Sequence, residues 1–286
     1  MFKNGLSTFN KGWRIYLAEI PIFEGWRKAV FGHLLTPIIL IHGAGSSALI
    51  WHQVQQHLEN ASLRTLALSL PGAGGSDAPD NVADYNSDAY AADIRGALDQ
   101  LDIPRCVLGG HSLGVQNVVS TLADHGEGLT VPAIILIAGG ACDFARAPVL
   151  GDQREAIIEG FRAREDSPPE TPTPEWTREH RGLPKNVRHR LWNDIRNNPF
   201  ERAVGQRLGE LRDRTGFLLK LRVPTLIVSG DSDTVVPLER TLKMYLNLSP
   251  DMRFMHILHS VGHYPNAEVP DAVAHIVEDF VKEHVT

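Results

Sequence analysis

Gly109-Gly110-His111-Ser112-Leu113-Gly114 follows directly on the apolar run Cys106-Val107-Leu108. A serine between glycines at the end of such a run is either the tip of a tight turn or a nucleophile held up on one. Gly110 to Gly114 satisfies G-x-S-x-G, and its surroundings are those the motif requires: a strand before it and an amphipathic helix after it, with Val115, Val118, Val119 and Leu122 on one face. The glycines let the chain turn sharply. Ser112 would stand at the carboxyl end of the strand, with the N–H of its neighbour free at a helix start.

Working outward, short apolar runs alternate with longer amphipathic stretches, as expected of strands and crossover helices in a mostly parallel sheet. Strands are predicted at 38–41, 65–70, 106–108, 133–137, 225–228 and 254–258. Helical faces carry Tyr90, Ile94, Leu98 and Leu101 in one stretch and Val273, Ile276, Val277, Phe280 and Val281 in another. From residue 141 to 221 the alternation stops. Helical patches at 154–164, 187–197 and 201–212 replace it, and the prolines of Ser167 to Trp176 forbid one continuous helix. The expected organisation is an α/β core of residues 1–140 and 222–286 with an inserted helical cap, 141–221.

Composition narrows the function. A chain of 286 residues with 43% hydrophobic residues can bury a large core, and a formal charge of -6 argues against a broad nucleic-acid surface. The first residues lack the apolar stretch of a secretory signal, and no segment offers the roughly 20 apolar residues of a membrane span. Two cysteines make neither a disulfide framework nor a structural zinc site. With no H-E-x-x-H and no clustered ligand spacing, no metal and no cofactor are expected, and the expected setting is the cytoplasm.

A serine hydroxyl needs a histidine base and a carboxylate to orient that base. Downstream, the strand at 225–228 runs into Gly230-Asp231-Ser232-Asp233-Thr234-Val235-Val236-Pro237, and the last strand into His259-Ser260-Val261-Gly262-His263-Tyr264-Pro265. Asp233 and Asp231 are candidate acids there, and Asp143 is a rival past the strand at 133–137. An attacked carbonyl also needs donors for its oxyanion. The loop His42-Gly43-Ala44-Gly45 can offer the N–H of Ala44 beside that of Leu113.

The ordered landmarks IILIHGAG, LPGAGGSDAP, GGHSLG, GDSDTVVP and GHYP resemble those of the α/β-hydrolase superfamily over nearly the whole chain except the cap. That resemblance implies an eight-stranded, mostly parallel sheet flanked by helices, Ser112 as nucleophile, Asp233 as acid, His263 as base, and Ala44 and Leu113 as the oxyanion hole. Two positions depart from the pattern: Val115 stands where many relatives have a further glycine, and Ser69 where many have aspartate.

Several residues have plainer readings. His42 is expected to bond loop backbone, His111 to point away from the nucleophile, and Asp231 to form a turn. Trp51 is expected to pack a helix, whereas Trp176 and Trp192 in the cap are candidates to line a substrate pocket. The cap arginines, Arg202 among them, read as a solvated face, with a carboxylate-binding arginine as the alternative. The leading function is a serine hydrolase that cleaves an ester, thioester or lactone of a small to medium substrate through an acyl-enzyme. Alternatives are carbon–carbon bond hydrolysis of a diketone-like ring-cleavage product, though Tyr264 stands where that group often has tryptophan, a cofactor-free haloperoxidase or perhydrolase, and a non-hydrolytic ligand receptor.

Overall fold

The apolar runs become strands whose carboxyl ends share one rim. The computed structural model describes residues 4–8, 14–18, 36–142, 149–167 and 169–285. Its eight-stranded sheet runs, edge to edge, β1 (Asn4–Thr8), β2 (Arg14–Ala18), β4 (Thr65–Ser69), β3 (Ile38–Ile41), β5 (Val107–His111), β6 (Ile134–Ile137), β7 (Thr225–Gly230) and β8 (Arg253–Leu258). From β4 to β8 every pairing is parallel, while β2 is antiparallel to both β1 and β4. Residues of β3 to β6 are buried on both faces, which is why they read as continuous apolar runs rather than alternating ones.

Successive side chains of a strand point to opposite faces, so β3 feeds two cores. Ile39 and Ile41 join Leu108, Ile94 and Val119, whereas Ile38 and Leu40 join Trp51, Val54, Val273 and Val277. Val54, Ile94 and Val119 come from α1 (His52–Asn60), α2 (Ser87–Gln100) and α3 (Leu113–His125). Between β6 and β7 lie five helices among the described residues: α4 (Gly151–Asp166), α5 (Pro174–Glu179), α6 (Lys185–Arg196), α7 (Phe200–Leu208) and α8 (Thr215–Leu218). The chain then completes α9 (Leu238–Leu246), α10 (Pro265–Glu268) and α11 (Pro270–His284). Trp51 is fully buried, the packing role expected of it.

Three differences from the sequence reading have local causes. β1 and β2 were not predicted: β1, Asn4-Gly5-Leu6-Ser7-Thr8, has a single large apolar residue, and the apolar run of β2, Ile15 to Ala18, went unread. α5 forms inside the proline-rich stretch because Pro174 sits at its start, where no N–H is required, and the Thr173 hydroxyl oxygen accepts the Trp176 N–H at 3.1 Å. The patch expected at 201–212 ends as a helix at Leu208, and the Arg214 N–H bonds the Ala141 carbonyl at 2.8 Å, tying the insertion back to the end of the β6 segment. Asp143, the rival acid, lies outside the described residues.

Candidate active site

β5 ends in a turn too tight for side chains at its glycines. A Cβ on Gly114 would stand 2.5 Å from the Ile41 carbonyl oxygen, and one on Gly110 would collide with the Gly114 backbone. Between them Ser112 takes φ 54° and ψ -119°, left-handed backbone that costs a non-glycine residue about 1–3 kcal/mol. Its N–H donates to the Ile137 carbonyl at 2.9 Å, which anchors the strained residue to β6. Val115 is accommodated because a glycine, Gly139, faces it.

Ser112 Oγ lies 3.0 Å from Nε2 of His263, and Nδ1 of that ring lies 2.8 Å from Oδ2 of Asp233. An ionised carboxylate only accepts, so the proton sits on Nδ1, and Nε2 presents its lone pair to the serine hydroxyl. The other oxygen of Asp233 accepts the Val235 and Val236 N–H groups, each at 2.8 Å, and its side chain is closed to solvent. Asp231 faces outward instead. It accepts from His259 at 2.8 Å, the Ser260 N–H at 2.7 Å and the Ser232 hydroxyl at 2.9 Å, bonds that hold its carboxyl below the usual range.

Two side chains clamp the backbone of His263. Glu268 accepts the flanking N–H groups of Gly262 at 2.9 Å and Tyr264 at 3.0 Å. His111 Nε2 donates to the His263 carbonyl at 2.7 Å. His111 thus packs beside the site and also positions the His263 backbone, a role the sequence did not indicate. The ring is walled by Trp51 and Tyr264, its centroid is 5.1 Å from that of His263, and the incoming carbonyl gives it a polar partner. Burial first, then the neighbouring His263, pushes His111 down to about 3, so it stays neutral.

The loop after β3 lies against the elbow, with Gly43 packed on Ser112. His42 serves it as expected: Nδ1 donates to the Gly43 carbonyl at 2.8 Å and Nε2 accepts the Leu70 N–H at 3.0 Å. Among the described residues neither the Ala44 nor the Leu113 N–H has a hydrogen-bond partner. Helices between β6 and β7 hold this loop at three consecutive residues. Gly45 N–H donates to Gln206 at 3.1 Å, Arg202 donates to the Ser46 carbonyl at 2.8 Å, and the Ser47 hydroxyl donates to Asp194 at 2.7 Å. Arg202, read as part of a solvated face, is only 1% exposed, because its guanidinium also bonds Asn198 inside the contact.

A cavity of about 240 Å³ opens beside Ser112, walled by Ala44, His263, Tyr264, Trp176, His180 and Ile195 among others, with no Lys, Arg, Asp or Glu among the described residues of its lining. Trp176 thus reaches the wall. Trp192 stands behind it, buried, with the two indoles edge to face at 5.2 Å, so the structure places it in packing rather than at the cavity. Sequence reading missed His180 and Ile195. Trp176 and His180 are four residues apart, a spacing that shares one helical face, and this was the available signal. A larger hollow of about 340 Å³, between Asn81–Asn86 and the insertion, contains none of the site residues.

The family model described as the alpha/beta hydrolase fold matches residues 36–269, and the chain belongs to that family. A 2-hydroxy-6-oxononadienedioate/2-hydroxy-6-oxononatrienedioate hydrolase from Cupriavidus pinatubonensis is 27% identical over 265 residues, covering 85% of this chain and 86% of that protein. A thermophilic esterase from Thermogutta terrifontis superposes with a TM-score of 0.74 at 21% identity, covering 98% of each chain. A bromoperoxidase from Bacillus anthracis does so at 0.74 and 19% identity, over 98% of this chain and 100% of that one. No helix among the described residues is long and apolar enough to cross a membrane.

Proposed function

We propose that the chain is a serine hydrolase of small, uncharged carboxylic esters, with lactones and thioesters as chemically related substrates. The observation that carries this reading is the line from Ser112 Oγ through His263 to Asp233, set at a strained elbow beside the cavity. As Oγ attacks the acyl carbon, its proton passes to His263 Nε2, and the carbonyl electron pair moves to oxygen. The N–H groups of Ala44 and Leu113 receive that oxyanion. Collapse expels the alcohol, which takes the proton from Nε2. Water, deprotonated by the same nitrogen, then releases the acid and restores Ser112. Asp233 holds the proton on Nδ1 and stabilises the imidazolium of each step.

In this reading residues 141–221 are a cap, and Trp176, His180 and Ile195 are its contribution to the substrate wall. No cation lines the cavity among the described residues, which weighs against a dicarboxylate such as the one named for the Cupriavidus relative. The cytoplasm suits the two buried free thiols, Cys106 and Cys142.

Labelling with a fluorophosphonate probe, beside a screen of acyl esters of graded length, tests the proposal. The wild type should label and turn over at least one ester, and Ser112→Ala should do neither. Labelling at another serine, or undiminished turnover by Ser112→Ala, refutes it.

A further inference from the structure

The cavity beside Ser112 is lined by a polar group that the ester chemistry leaves unused. His180 follows α5, one turn after Trp176, and its Nδ1 lies 2.8 Å from the Trp176 carbonyl. A carbonyl oxygen can only accept, so Nδ1 carries the proton and Nε2 the lone pair. The ring cannot easily turn over. The Trp176 indole lies flat against it, centroids 4.1 Å apart at 14°, and Tyr264 approaches to 5.4 Å. Burial lowers the His180 pKa, so the imidazole is neutral at pH 7 and Nε2 remains an acceptor.

Among the described residues this nitrogen has no hydrogen-bond partner, nor is it one of the buried polar atoms sealed from solvent; its residue lines the cavity. It therefore calls for a donor from whatever enters. Among the described residues the cavity lining holds no carboxylate to balance an ammonium group, which favours a neutral donor.

Resting on the ester-hydrolase reading above, we propose that His180 is a specificity-determining residue whose Nε2 accepts a hydrogen bond from a hydroxyl group of the substrate, so that the preferred substrates are uncharged, hydroxyl-bearing esters. A substrate lacking the hydroxyl strips water from Nε2 and offers nothing in return. Leaving a buried acceptor unpaired in this way is the means by which polar sites reject deoxy analogues.

The test is kinetic, on matched ester triplets carrying hydroxyl, methoxy or hydrogen at one position of either a butanoate acyl chain or an aryl alcohol. Each kcat/KM is divided by the hydroxide-catalysed rate of the same ester, which removes intrinsic reactivity. Methoxy accepts but cannot donate, so it separates donation from polarity. In at least one triplet the wild type should favour hydroxyl over both others by about tenfold or more. His180→Phe keeps a flat ring without the acceptor and should bring that ratio to near unity, while His180→Gln, whose amide oxygen accepts, should restore part of it.

No hydroxyl preference in any wild-type triplet overturns the proposal, as does a preference that persists in His180→Phe. The wild-type panel needs no variant, so the outcome is decided even if His180→Phe does not fold. Turnover of deoxy esters without hydroxyl preference defeats only the role of His180. Absence of turnover on every ester, with no probe labelling at Ser112, defeats the hydrolase reading and this inference with it.

Discussion

The elbow at Ser112 and the loop at Ala44 stand at the ends of neighbouring parallel strands, and each is proposed to lend one N–H to the same oxyanion. They are held by different means. The elbow is held by the core itself: close approaches of Gly110 and Gly114, and a bond from the Ser112 N–H to β6. The loop is held largely from outside, by Gln206, Arg202 and Asp194 of the inserted helices. One proposed donor is thus fixed by the strands and the other by helices that lie between β6 and β7. Those helices are thereby tied into the proposed chemistry.

The comparison is broken most directly by variants that act on one side only. Asp233→Asn leaves both donors in place but favours the wrong tautomer of His263, and kcat should fall by about 10⁴. A fall of less than tenfold in the folded variant would move the acid elsewhere, with Asp143 first in line. Gln206→Ala releases the Gly45 N–H next to Ala44, and kcat should fall by roughly 10 to 100-fold with KM nearly unchanged, less than the 10²–10³ of a donor removed outright. If KM rises instead while kcat holds, the loop does not depend on α7 and the contrast fails.

Each region also contains a histidine kept neutral by burial, His42 in the loop and His111 at the elbow, both pushed down to about 3. An unfolded histidine titrates near 6.5, so between these values the unfolded chain binds more protons than the folded one. Stability is then intact above pH about 6.5 and lost as pH falls, at about 1.4 kcal/mol per pH unit for each ring. Urea unfolding between pH 6.5 and 4.5 should show this slope, and His42→Gln should flatten it by one ring's share. An unchanged slope in that variant would mean that His42 is protonated in the fold.

The smallest effect sharpens the account of the elbow. Ser112→Gly and Ser112→Ala should both be inactive, but glycine accepts φ 54° freely, so it should be the more stable of the two by about 1–3 kcal/mol. Equal thermal midpoints would indicate that the turn stores no strain.

The two regions were also unequally legible in the sequence. The elbow could be read because its constraints are local: a strand, two glycines and a serine within five residues. The order of Asp233 and His263 followed from strand-end loops of a recognisable kind. The support of the Ala44 loop could not be read, because Gly45 and Gln206 are 161 residues apart and nothing in α7 distinguishes a buried arginine from a solvated one. Arg202 sits among other arginines and acids, and only packing separates it from them. Trp192 and Trp176 looked equivalent for the same reason, although only one of them reaches the cavity.

The bond from His111 to the carbonyl of His263 joins residues 152 apart, and Ser112 and His263 are separated almost as far. During synthesis from the amino end, at about 5–20 residues per second, Ser112 would wait roughly 8–30 s for His263, its proposed base. Throughout that interval the ring at the end of the central strand lacks both its carbonyl partner and the His263–Tyr264 wall that later buries it. The nascent chain is therefore both unarmed and incompletely folded until the loop after β8 arrives, and a single docking event ends both conditions.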